Sequence, residues 1–229
     1  MAIQIYELCG ADKTNLFSPH CWKTRLSVAH KGLDYESIAT PFTAVATVEG
    51  GDSRRVPVIR DGDTVVEDSL KIAEYLDEKY PDAPKLLHSG ADKAMTNFIT
   101  NWSQTQLHPL VARMAIMDIY NVLAPADQEF FRATREKAFG MSLEDFSTKM
   151  AATPDDLKKA LVPLELTLKG QKFIGGETPH FADYVVFGAL QWLRICKGEA
   201  VLPQEGTVAD WFASLLDMYD GMGRAAKAA

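Results

Sequence analysis

The chain has 229 residues, 47% of them hydrophobic and 24% charged, which is globular composition and excludes a disulfide-stapled miniprotein as well as a disordered chain. At roughly 150 residues per domain it has room for one or two domains, each with a core of its own. Lys plus Arg number 24 against 31 for Asp plus Glu, and the resulting net charge of −7 repels a phosphate backbone, so no nucleic acid is expected as a partner.

Residues 3–8, IQIYEL, alternate apolar and polar as a half-buried strand does. A helix starts at Ser18-Pro19, with a hydroxyl at the N-cap and a proline at the first helical position, where its missing N–H costs nothing. Trp22, Leu26 and Ala29 recur at helical spacing until Gly32, a residue suited to a left-handed C-terminal cap. Tyr35 to Ala39 reads as a second strand, which completes a right-handed βαβ unit. Beyond the Gly50-Gly51 bend, VPVIR and TVVE flank Asp61-Gly62-Asp63 as a hairpin. Asp68-Ser69 then caps a helix carrying Ile72, Ala73 and Leu76 that stops at Tyr80-Pro81. The order β-α-β, an irregular or helical connection, then β-β-α is thioredoxin-like.

From residue 90 onward strand signals vanish. Pro81, Pro84 and the polar His88-Ser89-Gly90 mark a linker, and helical periodicity covers about 91–121, 126–140, 154–170, 181–196 and 208–219. The expected architecture is an α+β thioredoxin-like domain over 1–84 followed by an all-α bundle over 90–229. No segment reaches the roughly 18 apolar residues of a membrane span, and MAIQIYELCGADK lacks the basic and apolar regions of a secretory signal. Cys9, Cys21 and Cys196 are too few and too scattered for a disulfide framework. A cytoplasmic protein without a membrane partner is the expectation.

The chemical signal is Ser18-Pro19-His20-Cys21 at the first helix. A helix N-terminus presents free N–H groups and about half a positive charge, so it stabilises a thiolate. In a dithiol oxidoreductase the attacking cysteine holds the leading place of C-x-x-C, and here that place is Ser18. Cys21 lies one turn inside, where the field is weaker, so the thiol is expected to arrive from outside. Val56-Pro57, ahead of the hairpin, suits a cis bond, and Asp68-Ser69 offers a carboxylate and a hydroxyl beside further free N–H groups. Together these would recognise an extended peptide with a charged amine at one end.

Ser18-Pro19, Arg55-Val56-Pro57-Val58-Ile59, Asp68-Ser69-Leu70-Lys71-Ile72-Ala73-Glu74-Tyr75-Leu76 and Phe181-Ala182-Asp183-Tyr184 resemble the corresponding blocks of cytosolic glutathione transferases. More closely, Phe42-Thr43, the Gly50-Gly51 bend, Ser53-Arg54-Arg55-Val56-Pro57, Asn101-Trp102, Gly175-Gly176 with Pro179 to Tyr184, and Asp220 to Arg224 resemble bacterial lignin β-aryl ether-cleaving transferases and their fungal etherase-like relatives. The resemblance implies glutathione as co-substrate and a homodimer. It implies that Ser18 donates a hydrogen bond to the glutathione thiolate, with Asn15 and Tyr6 as the alternatives. Val56 would pair with the cysteinyl unit, Pro57 would orient it, Asp68 and Ser69 would hold the γ-glutamyl end, and Arg55 the glycyl carboxylate. His180 departs from the family pattern, which has Ser, Thr or Asn at that N-cap, and the consequence falls on helix stability.

A second, hydrophobic aromatic substrate is expected between the domains, against the first long helix of the bundle. Trp102, Gln106, Arg113 and Met117 recur there at intervals of four, seven and four, though Trp and Met at such spacing equally suit an ordinary core. The five histidines show no metal-ligand spacing, so no metal is expected. Two other functions fit the same elements: a disulfide reductase or peroxidase using Cys9 or Cys21, and a non-enzymatic carrier of hydrophobic ligands.

Overall fold

The computed structural model describes residues 2–51, 53, 55–88 and 90–229; Arg54 of the resemblance and Ser89 of the linker lie outside them. Strand β1 (Ile3–Leu8) is followed by α1 (Pro19–His30) and β2 (Tyr35–Thr40), which lies parallel to β1 with Ile3 opposite Tyr35 and Leu8 opposite Thr40. The hairpin β3 (Val58–Asp61) and β4 (Thr64–Glu67) adds its first strand antiparallel to the other side of β1, giving the order β2-β1-β3-β4, and α2 (Ser69–Lys79) closes the unit. The expected βαβ-ββα order is therefore present, and the β2–β3 connection contains helical turns over Phe42–Gly50.

Ile3, Ile5 and Ile59 bury one face of the sheet under Trp22, Leu26, Ile72 and Leu76 of the two helices. A buried ion pair crosses this layer. Glu7 on β1 is 1% exposed and takes both Nε and Nη2 of Arg25, at 3.1 and 2.6 Å, with Ser37 of β2 donating to it at 2.6 Å. Three elements are thus tied through one carboxylate whose bonding oxygens are satisfied, the condition under which a buried charge is tolerated.

The helical part comprises α3 (Gly90–Trp102), α4 (His108–Asn121), α5 (Pro125–Phe139), α6 (Leu143–Lys149), α7 (Pro154–Ala160), α8 (Val162–Leu168), α9 (Phe181–Lys197) and α10 (Thr207–Ala225). It departs from the expected spans in four places. The stretch 91–121 is interrupted by a wide turn at Ser103–Leu107, where the His108 N–H reaches back to the Ser103 carbonyl. The stretch 154–170 divides at Leu161, and α6 forms where no helix was expected, with the Ser142 hydroxyl accepting the Asp145 N–H. Helix α10 runs on to Ala225 through left-handed residues Tyr219, Asp220 and Gly221.

Helix α9 is the axis of this part, buried on nearly every residue from Phe181 to Cys196. Its N-terminus is held by Asp183, which is fully buried and accepts N–H groups from Ile174, Gly175, His180 and the Trp211 indole at 2.7 to 3.0 Å. The weak cap residue His180 is therefore compensated three residues later, by a carboxylate that also fastens the preceding loop and α10. On α1, His30 accepts or donates at 2.7 Å to Tyr184 of α9, whose hydroxyl meets Tyr219 of α10 at 2.6 Å. Lys31 and the linker amides of Leu86 and Leu87 converge on Asp77 of α2, at 2.9, 3.0 and 2.9 Å.

Replacing Asp183 by Ala orphans four buried donors, so we expect a loss of about 3–5 kcal/mol in urea unfolding. Asp183→Asn, which keeps an acceptor, should lose less. Equal stability of Asp183→Ala and the parent would show that α9 does not depend on this carboxylate.

Candidate functional site

Ser18 is the N-cap of α1, in extended backbone, and its Oγ accepts the Cys21 N–H at 3.4 Å. Because the cap uses the oxygen as an acceptor, the hydroxyl proton remains available to another acceptor. Ser18 lines a cavity of about 970 Å³. Neither alternative, Asn15 nor Tyr6, is on its wall, and the Tyr6 hydroxyl donates to Glu49. Cys21 points the other way. It is buried, its sulfur accepts the Leu8 N–H at 3.4 Å, and burial followed by the Glu7 charge pushes its pKa up to about 12. At neutral pH it is a thiol, not a nucleophile. Cys9 is also buried and its pKa is raised by the same desolvation.

Arg55 and Val56 share the cavity wall with Ser18. The Val56-Pro57 bond is cis, and the Pro57 carbonyl accepts the Asp68 N–H at 3.3 Å, so Asp68 and Ser69 stand immediately behind the wall rather than on it. Asp68 caps α2 through its side chain, which accepts from Leu70 and Lys71 at 3.0 and 3.3 Å. Its φ of 83° lies in a region that side chains rarely adopt, a conformation usual where function outweighs local comfort. Arg55 is open to solvent and its Nε lies 3.4 Å from Glu67.

The opposite walls come from α4, α5, α9 and the β2–β3 connection. Helix α4 contributes His108, Ala112, Ile116 and Ile119, at intervals of four, four and three, and α9 contributes Trp192. Helix α5 supplies Phe130, Phe131, Thr134, Arg135 and Phe139, and Phe42 sits among them, 6.1 Å from Phe130 and 5.8 Å from Phe131. Trp102, Gln106, Arg113 and Met117 are not on this wall. At about 100° per residue Arg113 and Met117 project more than a quarter turn away from the His108–Ile119 face, while Trp102 and Gln106 lie on α3 and in the wide turn before α4 begins. Trp102 and Met117 pack half-buried against the core, Gln106 is exposed, and Arg113 Nε donates to the Met150 carbonyl at 2.7 Å. The spacing of 108, 112, 116 and 119 and the aromatic run on α5 are the sequence signals that mark the wall of this cavity.

Beneath Ser18 lies a cationic cluster that sequence patterning did not indicate. Lys23, one turn further along α1, is 1% exposed and its Nζ lies 3.2 Å from His20 Nδ1. Burial lowers its pKa to about 8 even though Asp68 opposes the shift. Burial and then the Lys23 charge take His108 down to about 3, and hold His20 well below its ordinary value. The two imidazoles, 5.0 Å apart, are neutral at physiological pH, and the ammonium is the charge of the cluster.

Two family models match the chain: one described as glutathione S-transferase, N-terminal domain, over residues 17–79, and one described as glutathione S-transferase, C-terminal domain, over residues 94–217. Among solved structures, the fold is similar to that of the glutathione transferase GSTFuA3 from Phanerochaete chrysosporium, with 25% identity, a TM-score of 0.76, and 99% and 94% of the two chains covered. It is also similar to the glutathione S-transferase CsGST63524 of Ceriporiopsis subvermispora, solved in complex with glutathione, with 26% identity, a TM-score of 0.73, and coverage of 98% and 94%. Glutathione S-transferase U13 of Arabidopsis thaliana is 27% identical over 203 residues, which is 83% of this chain and 78% of that protein.

The buried ammonium sets a pH dependence. The unfolded chain holds its Lys23 proton up to about pH 10.5 and the folded chain only to about 8, so burial of the charge opposes folding below about pH 8, and that opposition fades toward pH 10.5. Lys23→Met should therefore be more stable than the parent by up to about 3 kcal/mol near neutrality, with the gap closing as pH rises. Urea unfolding of both proteins across this range measures it; a gap independent of pH would mean that Lys23 keeps its ordinary affinity for protons.

Proposed function

Because the chain belongs to the glutathione S-transferase family, we propose that it binds glutathione beside Ser18 and transfers the glutathionyl sulfur to an apolar aromatic electrophile held in the cavity. The observation that carries this reading is the placement of the Ser18 hydroxyl, which caps α1 with its oxygen and faces the same cavity as the aromatic wall of α5. Its proton, together with the N-terminal field of α1 and the Lys23 ammonium beneath, favours a thiolate over a thiol. Val56 and Pro57 align the cysteinyl unit, Asp68 and Ser69 take the γ-glutamyl amine and carboxylate, and Arg55 takes the glycyl carboxylate. Residues 1–84 act as the glutathione-binding domain and 90–229 as the part that holds the electrophile. The raised pKa of buried Cys21 speaks against a disulfide-exchange mechanism.

The specific reaction we propose is cleavage of a β-aryl ether ketone. The thiolate attacks the carbon bearing the aryloxy group, the new C–S bond forms as the C–O bond breaks, and the electron pair departs on a phenolate that takes a proton from water. The neighbouring ketone makes that carbon electrophilic. Phe42, Phe130 and Phe131 supply ring contacts worth about 0.5–1.5 kcal/mol each beyond area burial. The protein acts in the cytoplasm as a homodimer; no described helix is long and apolar enough to cross a membrane. Exposed Met95 and Phe98 on α3 and Val65 on β4 support a self-association surface.

Ser18→Ala should raise the pKa of bound glutathione, read from thiolate ultraviolet absorbance, while affinity changes little. Loss of one hydrogen bond to a charged acceptor costs about 1.5–3 kcal/mol, or about one to two decades in rate. An unchanged thiol pKa would remove Ser18 from that role. Asp68→Asn preserves a good N-cap, so we expect stability within about 0.5 kcal/mol of the parent but clearly weaker glutathione binding; equal affinity would show that the Asp68 charge does not hold the tripeptide. With a racemic β-aryl ether ketone, mass spectrometry should find a glutathione thioether and a free phenol, both reduced in Phe131→Ala and unaffected by Trp102→Ala. Turnover of aryl halides or hydroperoxides with neither product would defeat the ether assignment alone.

A further inference from the structure

The aromatic wall of the cavity holds a cation for which the described residues supply no counter-ion. Arg135 on α5 lines the cavity half-buried, its Nη1 donates to the Thr134 hydroxyl at 3.2 Å, and its guanidinium lies over Phe131 at 4.9 Å and Phe42 at 6.0 Å. No carboxylate pairs with it among the described residues. The described acids nearest on α5 and α6 are engaged elsewhere: Arg132, one turn earlier, takes both Glu136 and Glu144, at 2.8 Å each. By contrast Arg25, Arg60 and Arg194 each have a carboxylate of their own. Desolvation is the one influence acting on the Arg135 pKa, consistent with a charge that faces apolar surroundings without a balancing anion. A guanidinium cannot escape by losing its proton, so such a site is completed by a ligand that brings the negative charge.

We infer that Arg135 is the anion anchor of the cavity and that the occupant is an aromatic carboxylic acid, its ring among the phenylalanines and its carboxylate in the guanidinium fork. Two parallel N–H groups match a planar carboxylate, and the ring faces of Phe42 and Phe131 hold that fork in place. Ser18 and Arg135 belong to different walls of one cavity, so an acid seated on Arg135 presents its other end toward the sulfur. This inference rests on the reading of the cavity as the second-substrate site.

Isothermal titration of the full chain with cinnamate and with cinnamamide, which differ in charge and little in shape, tests it, with glutathione titrated on the same preparations. We expect the parent to bind cinnamate about tenfold or more tightly than the amide. Arg135→Met should abolish that preference, Arg135→Lys should retain part of it, and glutathione affinity should be unchanged in both. Equal affinity for acid and amide in the parent, binding of neither, or a preference that survives Arg135→Met would overturn the inference. Weakened glutathione binding in Arg135→Met would also overturn it, by assigning the guanidinium to the tripeptide's own carboxylate. If the cinnamate preference stands while the parent fails to bind glutathione, the transferase reading falls and the anion site remains.

Discussion

Helix α9 meets the first turn of α1 at Gly188, where the absence of a side chain lets the two backbones touch: a Cβ there would stand 2.4 Å from the Pro19 carbonyl oxygen. Ser18 is the next residue up the chain, so the group that faces the cavity is positioned by the axis of the helical part as well as by the sheet below. Two further contacts fix the direction of α1 along α9, the edge-on approach of Trp22 to Phe187 at 6.1 Å and the hydrogen bond between His30 and Tyr184. Because α9 is in turn anchored by Asp183 to the loop before it and to α10, a disturbance anywhere along this line reaches the cap of α1. Interiors this closely packed pass strain on rather than absorbing it.

The chemistry of the site divides along the same line. On the sheet side the groups are polar and backed by buried charge: Ser18, Asp68, and Lys23 with the neutral His20. On the helical side the wall is mostly aromatic and aliphatic, interrupted by neutral His108, Thr134 and the Arg135 guanidinium. A charged tripeptide and an aromatic partner would thus each meet a surface of matching character, with Ser18 at the boundary between them.

Much of the sheet unit was legible from the sequence because its signals are local. Ser18-Pro19, Asp61-Gly62 and Asp68-Ser69 are caps and turns whose chemistry acts within four residues, and their elements form where those signals stand. Val56-Pro57 belongs to the same class. The helical part was legible in kind but not in its joints. The stretch 154–170 divides at Leu161 because Pro163, in the first turn of α8, has no N–H with which to continue the ladder, a break that the apolar periodicity runs straight through, and Ser142 starts a seven-residue helix too short for periodicity to show. The cavity wall was misread for a different reason. Trp102, Gln106, Arg113 and Met117 share a stripe of mixed polarity, yet which stripe of a helix faces a cavity is decided by its neighbours, here α5 and α9, and not by the stripe itself. Lys23 was invisible for the same cause: a lysine in an α1 sequence reads as solvated until the opposing surface is known.

The wide turn at Ser103–Leu107 gives the cavity a property beyond its present lining. It lies between α3 and α4 and adds one residue to what is otherwise a continuous helix, so it sets the rotational phase of everything that follows. Were the same residues wound regularly there, α4 would turn by about 100°, carrying His108, Ala112 and Ile116 off the wall and bringing a different stripe to face the aromatic cluster. The identity of that wall is therefore encoded partly in the width of one turn rather than in side chains. Within such a fold, a change of winding at a hinge of this kind exchanges a whole binding surface at once, while every residue of the helix stays the same.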